Sequence, residues 1–477
     1  MNLNLKSWLR PKIKSLNILI LIAIIILTFA TGFKVMSMFN SPLGFDEAGI
    51  VYIAKEISQG KALYLDYFDH KPPLMHYLLA LIYSIIPIST FAIKLLAFIF
   101  DTALLGTIFL VSKKLIDKNY AFLASALYGV YNLSLSLNTE IIMTILGLWA
   151  FFFYIKALES DKIDNFNLFT SGIFIAIAIW FKQSALFFYI PIVAHLFYLK
   201  YKQKIQKSQL INSILLLTLG VLIISIPLLS FFLFKAGTEF FYAIIKFNLQ
   251  FKASSSRILQ IGKGIGILLS SLGIIYAISL VNIKELLKDK KEIASVLISF
   301  NLFILIFIFI GQEIFYQHFF QLIPFAIIIG FISLKMADKK LRNFMFLAIL
   351  IVVLTLAFTA LEIKARESNG QQQVLDYLLE TIPWEAKFFS DNPVYTLLGN
   401  YHLSQPLVHV APSFASVFNY SFICNQDYLV LTHRQKYLSQ DVKQCIKSNF
   451  TLLKRFENVG ESFVEIYIKN GNAKRQS

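Results

Sequence analysis

Charged residues are scarce in this chain of 477 residues. Only 15% are Asp, Glu, Lys or Arg, 57% are hydrophobic, and the mean hydropathy is +0.65. Average soluble proteins are about 25% charged and roughly 45–50% apolar, so no soluble globular class fits. Apolar runs of about 17–25 residues recur, which is the length that crosses a bilayer as a helix. We therefore predict an integral membrane protein with many α-helical spans.

Acids are fewer than bases, and cysteines are nearly absent. There are 28 Asp and Glu against 44 Lys and Arg, which gives a net charge of +16. In a soluble protein this excess would favour nucleic-acid binding. In a membrane protein the basic residues concentrate in cytoplasmic loops, so we expect no nucleic-acid partner. The two cysteines, Cys424 and Cys445, both lie in the polar C-terminal region, and we expect them to pair if that region is outside the cytoplasm.

The distribution of lysine predicts the orientation in the membrane. Lysines cluster in alternate loops, such as 200–207 and 284–291, whereas the turns near Glu140 and Glu313 have no Lys or Arg. With the N-terminus inside, the lysine-rich loops are cytoplasmic, as the positive-inside rule requires. This arrangement predicts eleven spans and places the chain in a membrane, most simply a bacterial plasma membrane. The predicted spans are 15–33, 91–112, 119–137, 141–157, 167–181, 184–199, 210–234, 264–282, 293–310, 319–334 and 344–361.

The first outer loop, residues 34–90, carries two apolar segments that we do not count as spans. Residues 72–86 are apolar but are too short to cross the bilayer comfortably. Counting them as a span would put the lysine-rich loops outside. We therefore predict that residues 47–59 and 72–86 form helices that lie on the outer membrane face.

The composition changes after residue 363. Residues 364–477 are polar and mixed, with strand-like runs at Tyr428–Thr432 and Phe463–Ile468 and a helix-like segment at Gln371–Thr381. Eleven spans leave this region outside the cytoplasm. The predicted fold is thus a transmembrane domain at residues 1–363 and a small extracytoplasmic α/β domain at residues 364–477.

Several carboxylates and histidines, together with a few cations, fall in the predicted outer loops. No comparable cluster of carboxylates with histidine falls in the inner loops, which are rich in lysine. Charged groups at a membrane are expensive and are often functional. The candidate site residues are Asp46, Glu47, Asp69, His70, Lys71, Glu140, Lys182, Gln183 and His318.

Each of these residues also has a structural explanation. Asp46 and Glu47 suit the first turn of a helix, where acids are favoured. Lys71 can reach lipid headgroups with its long side chain. Glu140 can simply mark a loop. Lys182 can anchor the membrane interface, and His318 can be a hydrogen-bonded histidine at that interface. Lys94 and Asp101, about two turns apart in one predicted span, are expected to form a structural ion pair. The joint occurrence in the outer loops favours a site.

Five segments, in order and spacing, resemble glycosyltransferases of the GT-C fold, in the branch of the protein mannosyltransferases and the lipid A aminoarabinose transferases. The resemblance covers about residues 15–335. The segments read FDEAGIVYIAKEISQG, DYFDHKPPLMHYLLALIYSI, LNTEIIM, WFKQSALF and FYQHFFQLIPFAIIIGF.

The resemblance implies transfer of a sugar from a polyprenyl phosphate to a lipid, glycan or protein on the extracytoplasmic side. It implies that Asp46 and Glu47 are the catalytic acidic pair and that Glu140 is the acid of the second outer loop. Lys71 falls on the lysine that meets the lipid phosphate. One position departs from the pattern, since the aminoarabinose branch has Glu where His70 stands here.

The expected chemistry is a single displacement that inverts the anomeric carbon. The departing lipid phosphate gains negative charge and needs cations, which Lys71 and Lys182 supply. The acceptor hydroxyl needs a base, for which we choose Asp46, while Glu47 and Glu140 orient the acceptor. A divalent metal cofactor is left open. The alternatives are a transporter or flippase of a charged lipid and a non-catalytic assembly protein, but transporters often show internal repeats with sites at the midplane, and this sequence shows neither.

Overall fold

The computed structural model describes residues 6–473 with gaps at 132, 134, 160–161, 251–255, 290, 312, 341, 344–345, 347–348, 351–352, 355–369, 402, 404–409, 411–413, 415–417 and 460–461. The described residues up to Met336 are almost entirely helical. The helices of this part are α1 Lys6–Asn40, α2 Phe45–Ser58, α3 Leu74–Tyr83, α4 Thr90–Leu115, α5 Lys118–Tyr131, α6 Thr139–Ala157, α7 Asn165–Phe181, α8 Leu186–Tyr201, α9 Lys207–Phe241, α10 Phe247–Gln250, α11 Arg257–Val281, α12 Ile283–Asp289, α13 Lys291–Ile310 and α14 Ile323–Met336.

Among the described residues, seven helices are long and apolar enough to cross a membrane. They lie in α1, α4, α6, α8 with the short helix before it, α9 with its continuation to Gln250, α11 and α13, while α7 and α14 are shorter apolar helices. The polytopic helical fold is therefore confirmed. The count of eleven spans stays a prediction: α5 ends at Tyr131, earlier than expected, and most of the eleventh predicted span, 344–361, lies outside the described residues.

The two short apolar segments of the first outer loop form α2 and α3. At 1.5 Å per residue the ten residues of α3 extend about 15 Å, half of the roughly 30 Å hydrocarbon core. A helix of this length agrees with a position on the membrane face. Both helices share an apolar core with the C-terminal region, in which Tyr52, Met75 and Leu79 are buried.

The segment between the predicted spans 210–234 and 264–282, which the sequence predicts to be a long outer loop, is helical over much of its length. Helix α9 continues to Phe241, breaks in direction at Gly237, and is followed by a π-helix at Tyr242–Lys246 and by α10. Gly237 has φ 53°, a left-handed conformation that glycine adopts without strain. Lys246 and Asn248 are thus helical, Arg257 begins α11, and Lys252 lies outside the described residues.

The C-terminal region contains a four-stranded sheet with helices, as the sequence predicted. The strands lie in the order β1-β2-β4-β3, with β1 and β2 parallel and the other neighbours antiparallel. Cys424 and Cys445 form a disulfide, which confirms that expectation. The elements are α15 Gly370–Thr381, β1 Phe388–Ser390, α16 Pro393–Leu398, β2 Tyr428–Thr432, α17 Gln440–Asn449, β3 Phe450–Val459, β4 Ser462–Lys469 and α18 Asn470–Ala473.

Two buried ion pairs link the helices near the first outer loop. Lys94 of α4 contacts Glu47 of α2 at 2.8 Å, and Lys34 of α1 contacts Asp101 of α4 at 2.5 Å. All four side chains are almost fully buried. The predicted pair of Lys94 with Asp101 was therefore wrong, because each of these residues pairs with a different helix.

Candidate active site

The first turn of α2 fixes the position of both predicted catalytic acids. Gly44 precedes the helix in an extended conformation, and its N–H donates to Glu47 Oε2 at 2.9 Å. Lys94 Nζ donates to the same oxygen, while the Leu137 N–H donates to Glu47 Oε1 at 2.9 Å. Glu47 is therefore a buried carboxylate that joins α2 to α4 and to the loop before α6.

Asp46, its neighbour, lies in different surroundings. The side chain is partly exposed, and Gln317 Nε2 donates to Asp46 Oδ2 at 3.2 Å. His70, Lys71 and His318 each interact electrostatically with this carboxylate. Asp46 is thus a partly exposed acid among groups from two separate segments, residues 70–71 and 317–318, whereas Glu47 is enclosed.

Asp69 organises the segment that carries Lys71. It accepts the Lys71 N–H at 3.1 Å and contacts His76 Nε2 at 2.9 Å and His70 Nδ1 at 3.3 Å. Burial opposes the ionisation of Asp69, but Lys71 and His76 outweigh it and hold the pKa of Asp69 well below its usual range. The residue is an anion beneath the loop and orients the two side chains that follow it.

Side chains from other parts of the chain hold the backbone at His70 and Lys71. The Tyr64 hydroxyl donates to the Lys71 carbonyl at 2.8 Å. The His70 carbonyl accepts from Gln183 Nε2 at 3.2 Å and from Asn248 Nδ2 at 3.0 Å. Gln183, which the sequence suggested as a substrate ligand, therefore holds the loop. Asn248 and Tyr64 have the same function and carry no motif that would mark them in the sequence.

The Lys71 ammonium interacts electrostatically with three carboxylates. Burial lowers its pKa, but Asp69, Asp46 and Glu140 outweigh burial and raise the pKa of Lys71. The lysine is therefore charged. It lies at the start of the Pro72-Pro73 step before α3, so its backbone has little freedom.

Glu140 and Lys182 form the third part of the site. Glu140 lies in the first turn of α6 and Lys182 caps the end of α7, and their side chains form a hydrogen-bonded ion pair. Thr139 Oγ1 also donates to Glu140 at 3.0 Å. Lys182 thus shares its charge with Glu140, and the pair places a cation and an anion at adjacent helix ends.

The two histidines of the site are neutral near pH 7. Burial and Lys182 lower the pKa of His318 to about 4, against the opposing effect of Glu140 and Asp46. Burial lowers the pKa of His70 to about 4 as well, although Asp69 opposes it. Neither histidine adds a charge to the site, whereas Lys71 does.

The carboxylates of the site do not fit a divalent metal. Glu47 and Glu140 each use oxygens on a lysine, and no group of three or more His, Cys, Asp or Glu in the described part of the chain is placed to hold one. Divalent cations such as Mg²⁺ and Ca²⁺ bind through several oxygen ligands.

One family model and several solved structures match this chain. A family model described as dolichyl-phosphate-mannose-protein mannosyltransferase matches residues 70–231, which include Lys71, Glu140 and Lys182. No curated protein sequence matches the chain.

Three solved structures share the fold. ArnT from Cupriavidus metallidurans bound to undecaprenyl phosphate aligns with a TM-score of 0.64 and 11% identity, over 93% of this chain and 97% of that chain. The Archaeoglobus fulgidus oligosaccharyltransferase in complex with Zn and sulfate aligns at 0.55 with 13% identity, over 92% and 72%. AglB from A. fulgidus, in complex with an inhibitory peptide and a dolichol-phosphate, aligns at 0.52 with 12% identity, over 93% and 74%. The resemblance to GT-C glycosyltransferases and the fold class are thereby confirmed.

Proposed function

We propose that this protein is an integral membrane glycosyltransferase that moves a sugar from a polyprenyl-phosphate donor to a hydroxyl group of a lipid, glycan or protein. The observation that carries the proposal is that the Lys71 ammonium interacts electrostatically with Asp46, a partly exposed carboxylate in the first turn of α2, and with Glu140 in the first turn of α6. The family model and the fold of the three solved structures support the same class.

The reaction is one displacement at the anomeric carbon. Asp46 accepts the proton of the acceptor hydroxyl as its oxygen forms the new glycosidic bond. The bond from the anomeric carbon to the phosphate oxygen breaks, and polyprenyl phosphate leaves with the electron pair. Lys71, assisted by Lys182, stabilises the charge that develops on this phosphate. Attack opposite the leaving group inverts the anomeric carbon.

The predicted acids Glu47, Asp69 and Glu140 position the residues that carry out this chemistry. Glu47 keeps α2 in place, Asp69 keeps Lys71 charged and oriented, and Glu140 holds Lys182. We assign Glu47 a positioning function, because its oxygens are already engaged by two backbone N–H groups and Lys94. Neutral His70 gives no anion for a cationic amino sugar, so neutral hexoses belong among the candidate donors.

In this proposal the site faces the outside of a bacterial plasma membrane. The support is the charge pattern: α4 starts near the site and ends at Lys113 and Lys114, on the side where the loops are rich in lysine. Residues 364–477 are then an extracytoplasmic domain. A reporter that is active only outside the cytoplasm, fused after Ser477, is expected to be active, and activity of a cytoplasmic reporter there would reject the orientation.

Transfer is tested with a panel of tritiated undecaprenyl-phosphate sugars. Purified protein is incubated with each donor and with membranes that provide acceptors, and the labelled product is identified. The Asp46→Asn variant, which keeps the shape of the side chain and removes the base, is expected to abolish transfer while retaining wild-type expression. Asp66→Asn is the matched control, since Asp66 is an exposed acid of the same loop. Wild-type turnover by a folded Asp46→Asn protein would refute the assignment of Asp46 as the base.

A further inference from the structure

An arginine of the C-terminal region lies against the helix that carries Asp46. Arg434 is in a short 3-10 helix, His433–Tyr437, directly after β2. Its Cζ atom lies 3.5 Å from the centroid of the Phe45 ring, and Phe45 is the residue before Asp46. Asp46 and Arg434 also interact electrostatically. The C-terminal region therefore reaches the first turn of α2, beside the proposed base.

Other residues of the C-terminal region hold Arg434 in this position. Its backbone N–H donates to Thr432 Oγ1 at 3.3 Å, and its Nη1 donates to the Val410 carbonyl at 3.2 Å. Asp391, which is fully buried, accepts the Thr432 N–H at 2.9 Å and attracts the guanidinium. The arginine is thus a supported side chain at an interface.

The same face of the C-terminal region holds the rest of α2. The side-chain amide of Gln371 bonds both the N–H and the carbonyl of Leu43, at 3.0 and 3.3 Å. Further along the helix, the Tyr52 hydroxyl accepts the Leu403 N–H at 3.1 Å. These contacts fix α2 just before its start and at its middle, so a change at Arg434 acts on a helix that is otherwise anchored.

The charges around Asp46 come from four elements. Glu47 on the same helix is neutralised by Lys94, and the two histidines are uncharged. Lys71 and Arg434 are cations of the described residues that interact with Asp46, and Lys71 is shared with Asp69 and Glu140. The charged and titratable groups that face Asp46 are His70 and Lys71 of the first outer loop, His318 before α14, and Arg434 of the C-terminal region.

We propose that Arg434 is a positioning residue of the active site, whose guanidinium packs on Phe45 and keeps Asp46 oriented and ionised for proton transfer. The inference rests on the proposed function, in which Asp46 is the base. A planar guanidinium packs on an aromatic ring and carries a permanent charge, and lysine reproduces only the charge. The C-terminal region then belongs to the catalytic unit.

The test compares variants of the full-length enzyme with the tritiated donor that the panel identifies. Arg434→Gln is expected to lower kcat on the order of ten- to a hundredfold, as for a displaced catalytic group, with the donor KM changed less than about twofold. Loss of a nearby positive charge is also expected to move the acidic limb of the pH–rate profile upward by about one unit. Arg434→Lys and Phe45→Leu keep the charge, so both are expected to lower kcat without moving this limb.

Lys436→Gln is the matched control, because Lys436 is an exposed cation two residues further along. It is expected to keep the wild-type kcat and pH profile. Hydrogen exchange of α2 identifies variants that have lost the fold. If Arg434→Gln has lost it, Phe45→Leu and Arg434→Lys still test whether the contact of Arg434 with Phe45 orients Asp46. A wild-type kcat in those folded variants, or an unmoved acidic limb in folded Arg434→Gln, would overturn the proposal. Absence of transfer by the wild-type protein from every donor would instead reject the proposed function, and this inference with it.

Discussion

Breaking the buried ion pair of Lys94 and Glu47 is predicted to destabilise the fold. Lys94 Nζ lies 2.8 Å from Glu47 Oε2 and also donates to the Leu135 carbonyl at 3.3 Å. The side chains are 2% and 1% exposed. Lys94→Met keeps much of the volume of the side chain and removes the only cation that contacts Glu47 among the described residues. An unpaired carboxylate would then remain in an apolar environment.

Breaking a buried pair by removal of one partner costs about 3–5 kcal/mol, because the remaining charge is uncompensated. We expect Lys94→Met to lower the free energy of unfolding by this amount. Glu47 also accepts the Leu137 N–H, so protonation or displacement of Glu47 would loosen the loop before Glu140. Transfer activity is therefore expected to fall together with stability.

The assay is thermal unfolding of detergent-purified protein, followed by size-exclusion chromatography of the heated samples. Lys113→Met is the control, since Lys113 is an exposed lysine near the end of the same helix. The double variant Lys94→Met/Glu47→Gln is expected to recover part of the loss, because the second change removes the orphaned charge. If Lys94→Met is as stable as the wild type, the assignment of a structural ion pair at this position is refuted.

Three further predictions follow from single sites. Lys71→Ala is expected to lower kcat/KM for the donor tenfold or more, since a charge-assisted contact contributes roughly 1.5–3 kcal/mol; unchanged kinetics would make the lysine a headgroup anchor only. Burial raises the pKa of Asp391 to about 7, so the folded state retains a proton that the unfolded state loses and stability falls as pH rises from about 4 to 7; Asp391→Asn is expected to flatten this dependence in unfolding at pH 5 and pH 7.5, and an unaltered slope would contradict it. Cys445→Ser opens a loop with a sequence separation of 21 and is expected to cost about 3 kcal/mol; two alkylatable thiols in the unreduced wild type would reject the bridge.

Local patterns predicted most of the elements. Apolar runs marked the long helices, and a short, nearly continuous apolar run marked β2, whose predicted bounds Tyr428–Thr432 agree with the structure. The helix at Gln371–Thr381 is confirmed within one residue. These features depend on hydropathy and periodicity within a short window, which a single sequence contains.

Pairing between distant segments was less predictable. Lys94 and Asp101 are seven residues apart on one face of α4, so a pair within the helix was plausible, yet each meets a charge on another helix. The contact of Arg434 with Phe45 joins the C-terminal region to α2, and no spacing rule connects them. The convergence of the outer-loop residues was predictable because charge asymmetry fixed which loops share a face. The division of the chain at residue 363 stays a prediction.

The charges of the site fall into two groups with different functions. Glu47 and Glu140 are paired with lysines and nearly fully buried, whereas Asp46 is partly exposed among groups from several elements. Buried pairs contribute little net stability, because desolvation offsets their attraction, but they specify which helix ends meet. In this protein they fix α2, α4, α6 and α7 around one point. Asp46 and Lys71 therefore hold their relative positions before any substrate binds, and a reaction whose charge develops on a phosphate requires such preorganisation.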